Sequence, residues 1–223
     1  MKLYMTPEST VSRPVRLFAA EHKIAIEEEL VDRIARYKPP YSLVNPNCLV
    51  PMLEDGDLRL TESSAILKYL ADKMDSPTYP KNLKQRAKVN EAMDFINTNL
   101  YRDFGYAFCY PQLFPHLKLR NDEAQAAALE KGKERSKRWL RVLNDYWIGP
   151  DKNYLCGDQI TIADYFGACL VTIGEIIRAD FSEYPNIMRW LDNMKKLSSW
   201  PRINEALYGW AATVKDQTFV TIP

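Results

Sequence analysis

The sequence predicts an α/β N-terminal part followed by an all-α C-terminal part. Two short apolar runs flank a helical pattern near the start of the chain, and a hairpin signal follows at Asp55-Gly56. A turn-rich stretch at 75–81 then interrupts the pattern. Beyond it, apolar residues recur with helical spacing and no strong strand signal intervenes. We therefore expect two domains, at residues 1–76 and 84–223.

The chain begins with a β-α-β pattern. Residues 2–5 form a short apolar run that predicts the first strand. Ser12 is a candidate helix cap, and Pro14 suits the first helical turn. Residues 24–30 alternate in part and predict a second strand. Two strands joined through a helix imply a parallel pair with a right-handed crossover.

The next segment predicts a bend, a hairpin and a helix start. Residues 32–44 are polar and contain proline, so we expect a surface loop or short helix. Val50-Pro51 favours an extended backbone, because proline disfavours the helical region in the residue before it. The runs on either side of Asp55-Gly56 then form a hairpin, and a helix begins near Glu62.

The rest of the chain predicts helices. Thr161 and Asp164 form a variant of the capping box, which marks a helix start. A final short helix is expected to reach Leu207, and the apolar tail 208–223 is expected to pack on the body. The predicted helices share an apolar periodicity and lie near residues 83–100, 122–147, 162–177, 187–197 and 200–207.

Composition excludes several classes of function. With 46% hydrophobic and 26% charged residues, the 223-residue chain predicts an ordinary globular protein. A net charge of +1 provides no field for nucleic acid or an acidic membrane. Neither a secretory signal nor an apolar run of about 20 residues is present, so we expect a cytoplasmic protein. The four cysteines and two histidines are widely spaced, which predicts no metal site.

The start of the predicted helix at Glu62-Ser63 suits a ligand with an amino-acid end. Helix N-terminal N–H groups attract a carboxylate, Ser63 adds a hydroxyl, and Glu62 suits an ammonium group. A cis Val50-Pro51 bond would leave the Val50 backbone free to pair with a peptide. The alternative is a strand–hairpin–helix segment that binds nothing.

Several motifs resemble the glutathione-binding signature of cytosolic glutathione transferases, most closely the theta and delta classes and their bacterial relatives. They are Asn45-Pro46, Val50-Pro51, Leu60–Ser63 and Ala65–Leu70. The box at 161–164 also resembles a helix start in the second domain of that family. The resemblance implies a thioredoxin-like N-terminal domain, a helical-bundle C-terminal domain that contributes the electrophile site, glutathione as co-substrate without a metal, and a homodimer.

The resemblance also implies a catalytic hydroxyl in the first loop. When the loop is aligned on Arg13, Ser9 takes the place of the serine that donates to the glutathione thiolate. Thr10 and Ser12 are close enough in sequence to compete for this role. The loop departs from the family pattern because Glu8 adds a negative charge beside an anion site.

The same alignment assigns the residues that bind glutathione. Arg36 replaces a histidine near the glycine carboxylate, and a solvated basic loop is the alternative for this region. Cys48 replaces a second histidine, so that contact is expected to be weakened. The implied glutathione-binding residues are Arg36, Lys38, Val50, Pro51, Glu62 and Ser63.

An aromatic patch after the first long C-terminal helix predicts the electrophile pocket, with Tyr101, Phe104, Tyr106 and Phe108 as its lining. The first functional hypothesis is conjugation of glutathione to small hydrophobic electrophiles. The alternatives are a glutathione-dependent peroxidase or disulfide reductase, and a non-catalytic binding module with the same fold.

Overall fold

A computed structural model describes residues 1–222, and its N-terminal part contains a four-stranded sheet in the order β2-β1-β3-β4. The strands are β1 (Lys2–Met5), β2 (Glu27–Leu30), β3 (Met52–Asp55) and β4 (Leu58–Thr61). The helices of this part are α1 (Ser12–Glu21), α2 (Tyr41–Val44) and α3 (Ser63–Lys73), with one 3-10 turn at Ala35–Tyr37. This is the expected thioredoxin-like arrangement.

The strand pairing confirms the predicted parallel pair and the predicted hairpin. β1 runs parallel to β2 and antiparallel to β3, and β3 and β4 form the hairpin. Gly56 in the hairpin loop has a φ of +63°, a conformation that glycine adopts without a steric penalty. The second strand starts at Glu27 and is shorter than predicted, and Ile24 and Ile26 pack against the core in the segment before it.

The C-terminal part is helical. In residues 1–222 no helix is both long enough and apolar enough to cross a membrane. The last helix continues beyond the predicted end at Leu207, and Pro223 of the predicted tail lies outside the described residues. The elements are α4 (Leu83–Phe95), a π-helical segment (Ile96–Cys109), α5 (Tyr110–Leu113), a 3-10 turn (Pro115–Leu117), α6 (Asp122–Val142), a second π-helical segment (Leu143–Ile148), α7 (Ile162–Val171), a 3-10 turn (Thr172–Glu175), α8 (Pro185–Lys195) and α9 (Trp200–Thr213).

Helix α7 is the centre of the molecule, since all of its residues are buried. It packs on α1, α3 and α4, so it joins the two parts of the chain. The predicted capping box starts it: Asp164 Oδ2 accepts from the Thr161 N–H at 2.7 Å. The other oxygen of Asp164 accepts from the Leu155 N–H at 2.8 Å and from Trp190 Nε1 at 3.0 Å.

Arg13 of α1 ties the first loop to the helical part. Its side chain is fully buried and donates to the Cys169 carbonyl at 2.5 Å and to Asn204 Oδ1 at 2.5 Å. It also donates to Thr172 Oγ1 at 3.1 Å. Since Arg13 lies four residues after Ser9, these bonds hold the loop that carries Ser9 in a defined place.

Candidate active site

A cavity of about 1100 Å³ is lined by residues from both parts of the chain. Its walls come from the loop before α1, the segment before β3, the start of α3, the first π-helical segment and α9. It brings together residues that are far apart in sequence. The predicted site residues that line it are Ser9, Arg36, Val50, Pro51, Glu62, Ser63, Tyr101 and Tyr106.

The peptide bond between Val50 and Pro51 is cis. The β1–β3 ladder starts at Met52, so Val50 lies outside it. Among residues 1–222, neither the N–H nor the C=O of Val50 has a hydrogen-bond partner. A peptide laid beside Val50 would therefore find both a donor and an acceptor, which is how a strand is added to a sheet edge.

Side-chain hydrogen bonds fix the loop before Val50. The Leu49 carbonyl accepts from the Tyr41 hydroxyl at 2.5 Å and from Asn45 Nδ2 at 2.8 Å. Asn45 Oδ1 in turn accepts from the Asn47 N–H at 3.1 Å. The Asn45-Pro46 motif of the sequence thus supports the backbone at Val50.

The start of α3 forms the polar end of the cavity. Glu62 has a φ of +63°, which non-glycine residues seldom adopt and which costs on the order of 1–3 kcal/mol. The Ser63 side chain is buried, and no acidic side chain lies in the first turn of α3. The N–H groups and the positive end of the helix dipole are therefore available to a carboxylate.

The three hydroxyls of the first loop have different environments. Ser9 Oγ accepts from the Ser12 N–H at 3.2 Å, which leaves its own hydrogen free to donate into the cavity. Thr10 also lines the cavity, and its Oγ1 accepts from the Tyr110 hydroxyl at 2.9 Å. Ser12 is buried away from the cavity, and its Oγ has no partner among residues 1–222. The expected cap of α1 by the Ser12 side chain is not formed, because Ser9 supplies the acceptor.

The carboxylate of Glu8 is paired. Arg33 Nη2 lies 2.8 Å from Glu8 Oε1, and the Arg33 guanidinium lies 4.9 Å from the ring centre of Phe114 and 5.4 Å from that of Trp210. The charge that departs from the family pattern is therefore compensated inside the cavity wall. Sequence reasoning missed Arg33, because the two partners are 25 residues apart and no local pattern connects them.

Arg36 and Lys38 differ in position. Arg36 lines the cavity, its Nη2 donates to the Tyr37 hydroxyl at 2.7 Å, and its buried Nε has no partner in the described chain. Lys38 is exposed and does not line the cavity, so the geometry does not support the contact expected for it. Cys48 also lies outside the cavity wall.

The aromatic wall differs from the prediction in two residues. Tyr101 and Tyr106 line the cavity, whereas Phe104 and Phe108 are 0% exposed and belong to the core. An α-helix turns by about 100° per residue, so it would place both phenylalanines near the face of Tyr101. The π-helical segment turns by about 80° per residue, and this places the two phenylalanines on the opposite side.

A buried chain of hydroxyls also lies at the cavity and was missed in the sequence. The hydroxyls of Tyr101 and Tyr110 are 2.7 Å apart, and Tyr110 donates to Thr10. Burial raises the pKa of Tyr110 to about 12 and the pKa of Tyr101 well above its usual 10, so both remain protonated donors at neutral pH. The aromatic patch was a signal for these tyrosines, but only for their apolar surface.

Comparisons with known proteins agree with this geometry. Sequence models described as glutathione S-transferase N-terminal and C-terminal domains match residues 3–78 and 106–197. Glutathione S-transferase T1 of Arabidopsis thaliana is 31% identical over 216 residues, which cover 92% of this chain and 86% of the relative. A delta-class glutathione transferase of Nilaparvata lugens has a TM-score of 0.79 at 30% identity, over 97% of this chain and 99% of that chain.

A second solved structure is informative about the ligand of a relative. Human glutathione transferase theta-2, in complex with glutathione and an unknown ligand, has a TM-score of 0.85 at 25% identity. The match covers 100% of this chain and 93% of that chain.

The fold and the cavity define a class of proteins in which a thioredoxin-like domain and a helical domain share one site with a polar end and an aromatic wall. Within that class, the chain belongs to the glutathione S-transferase family and is an enzyme of that kind.

Proposed function

We propose that this enzyme conjugates the thiolate of glutathione to small hydrophobic electrophiles, as a homodimer in the cytosol. The observation that carries the proposal is the convergence of Ser9, Val50, Glu62 and Ser63 on one cavity. Ser9 offers a donor for the sulfur, Val50 offers backbone groups for the peptide, and the start of α3 at Ser63 offers a helix N-terminus for the carboxylate.

Glutathione has a matching group for each contact. Its cysteinyl backbone pairs with the free N–H and C=O of Val50, next to the cis bond to Pro51. The α-carboxylate of the γ-glutamyl residue lies on the N-terminus of α3 and on Ser63, and the ammonium group faces Glu62. Arg36 binds the glycine carboxylate with its free guanidinium donors.

Ser9 stabilises the thiolate. A free thiol has a pKa of about 8.5 and is mostly protonated at neutral pH, whereas the thiolate is the nucleophile. A hydroxyl hydrogen that points at the sulfur favours the anion, and the thiol proton leaves to solvent. With a chloronitrobenzene, the thiolate forms a C–S bond to the ring carbon and chloride leaves with the electron pair of the C–Cl bond.

The electrophile lies against the aromatic wall. Tyr101 and Tyr106 form part of that wall, together with Phe114 and Trp210 from the C-terminal part. Aromatic side chains provide a large apolar contact at low entropic cost, which suits small apolar substrates.

Calorimetry and two matched variants test the proposal. We expect the parent to bind glutathione and to conjugate it to an activated chloronitrobenzene. Ser9→Ala should lower kcat/KM by about 100–1000-fold, the loss typical for one donor to a developing anion. Its affinity for glutathione should change little. Ser12→Ala removes a nearby hydroxyl that does not reach the cavity and should retain the parent activity.

Ser9 also accepts the Ser12 N–H, so thermal unfolding of Ser9→Ala must be recorded to separate a folding defect from a catalytic one. No glutathione binding at millimolar ligand would overturn the proposal, and so would unchanged turnover in Ser9→Ala. Turnover of a hydroperoxide without any conjugation would favour the peroxidase alternative.

A further inference from the structure

We propose that Thr10 is a second hydroxyl donor to the sulfur of glutathione, and that Tyr110 and Tyr101 orient it through a buried hydrogen-bond chain. This inference rests on the proposed binding of glutathione in the cavity. It adds one catalytic residue, Thr10, and two positioning residues to the proposed reaction.

The direction of the hydrogen bonds follows from the geometry. Tyr110 donates its only hydroxyl hydrogen to Thr10 Oγ1 at 2.9 Å. The Tyr101 hydroxyl, 2.7 Å from that of Tyr110, must then be the donor in the second bond. The chain therefore runs from Tyr101 through Tyr110 to Thr10, and all three side chains are more than 90% buried.

The hydrogen of Thr10 is left for a ligand. Its oxygen already accepts from Tyr110, and no acceptor for its own hydrogen exists among residues 1–222. Thr10 lines the cavity and is the chain neighbour of Ser9, so the two residues are adjacent in the cavity wall. An anionic sulfur is the acceptor that two such donors suit.

The two tyrosines make Thr10 a better donor. A hydroxyl that accepts one hydrogen bond donates another more strongly, because the bonds polarise each other. The chain is shielded from water, so this effect is not diluted by solvent. Apart from Tyr101 and Tyr110 themselves, the charged or titratable groups on the cavity wall are Glu8, Arg33, Arg36, Tyr37, Glu62, Arg102, Tyr106 and His116, and the variants below leave all of these in place.

The test is the pKa of the thiol of enzyme-bound glutathione, measured by a pH titration of thiolate absorbance. Thr10→Val keeps the shape but removes the donor, and it should raise that pKa by about one unit, a tenfold loss of thiolate. Thr10→Ser should restore the parent value. Tyr110→Phe should raise the pKa by a smaller amount, because Thr10 is still present.

Tyr184→Phe is the matched control. The Tyr184 hydroxyl is buried, has no partner in the described chain and does not line the cavity. Its removal should leave the thiol pKa unchanged. A shift in Tyr184→Phe as large as that in Tyr110→Phe would mean that the effect is structural, and it would overturn the role of the tyrosines.

Further outcomes of the titration decide whether Thr10 and the tyrosines have the proposed roles. If Thr10→Val binds glutathione with parent affinity and an unchanged thiol pKa, Thr10 is not a donor to sulfur and Ser9 acts alone. If Thr10→Val does not fold, an unchanged thiol pKa in Tyr110→Phe overturns the chain. If the parent itself binds no glutathione, both the proposed function and this inference fail. If the parent binds glutathione and the variants leave the thiol pKa unchanged, only this inference fails.

Discussion

Gly132 of α6 packs tightly against the π-helical segment that carries the cavity tyrosines. A Cβ atom on Gly132 would lie 2.6 Å from the carbonyl oxygen of Ala107 and 3.0 Å from its carbonyl carbon. Both are backbone atoms and cannot rotate away. Gly132→Ala must therefore push the backbone between Tyr106 and Tyr110 away from α6.

Two opposing effects set the size of the change. Alanine is favoured over glycine in a helix by about 1 kcal/mol. Against this, the backbone must retreat by about 0.8 Å before it reaches an ordinary contact distance of 3.4 Å, and overpacking of this kind costs typically ~1–3 kcal/mol or more. Because a whole helix–helix contact must move, we expect the overpacking cost to exceed the gain in helix propensity. The net loss in the free energy of unfolding should be about 2 kcal/mol.

Thermal and urea unfolding followed by circular dichroism measure this loss. For a chain of this size, a loss of 2 kcal/mol lowers Tm by about 4–8 °C. Gly209→Ala is the matched control in α9, because no atom lies within 4 Å of its Cβ position. It should stabilise the protein by about 0.5–1 kcal/mol.

Gly132→Ala should also change the function of the enzyme. The displaced segment moves the tyrosines on the cavity wall, so Gly132→Ala should raise KM for the electrophile more than KM for glutathione. A Gly132→Ala variant at least as stable as the parent would refute the packing argument. A loss of stability in Gly209→Ala would show that the glycine substitution itself, not the contact, is responsible.

The remaining predictions concern charges. Burial raises the pKa of Asp103, but a hydrogen bond from Arg102 and further donors outweigh it, so this pKa lies below the usual 3.8. The Asp103 carboxylate therefore stabilises the fold above its unfolded-state pKa, and this contribution is lost as the pH falls through its folded-state pKa. Asp103→Asn should reduce the acid dependence of urea unfolding below about pH 4. Arg36→Met should weaken glutathione binding about tenfold in calorimetry, whereas Lys38→Met should not change it. Arg33→Met frees the loop carboxylate that it pairs with, so it should raise the thiol pKa of bound glutathione and lower kcat at neutral pH.

The hairpin, the bend before it and one helix start can be predicted from the sequence because their signals are local. Asp55-Gly56 specifies a hairpin, and Val50-Pro51 marks the bend before it. The box from Thr161 to Asp164 closes a helix start within four residues. Each of these features is decided by neighbours in the chain, so tertiary packing did not override it.

The aromatic wall was predicted only in part because helix winding is not a local choice. With α-helical winding, positions 101 and 110 would lie on opposite faces, about 180° apart. With π-helical winding, at about 80° per residue, they fall on nearly the same face, and this allows the hydroxyls of Tyr101 and Tyr110 to meet. The sequence shows the residue types, but it does not show the wider helical turn that decides which of them face the cavity.

The first loop shows why composition alone misjudges an anion site. From the sequence alone, Glu8 adds a negative charge beside the anion site, and an isolated carboxylate acts over several ångströms. The structure places Arg33 at 2.8 Å, and a close pair of opposite charges has a field that falls off faster than that of either charge alone. The rings of Phe114 and Trp210 hold the guanidinium in that position. Whether the loop favours a thiolate therefore depends on the pairing of Glu8 with Arg33, and on the contact of Arg33 with two rings of the C-terminal part. The identity of residue 8 alone does not decide it.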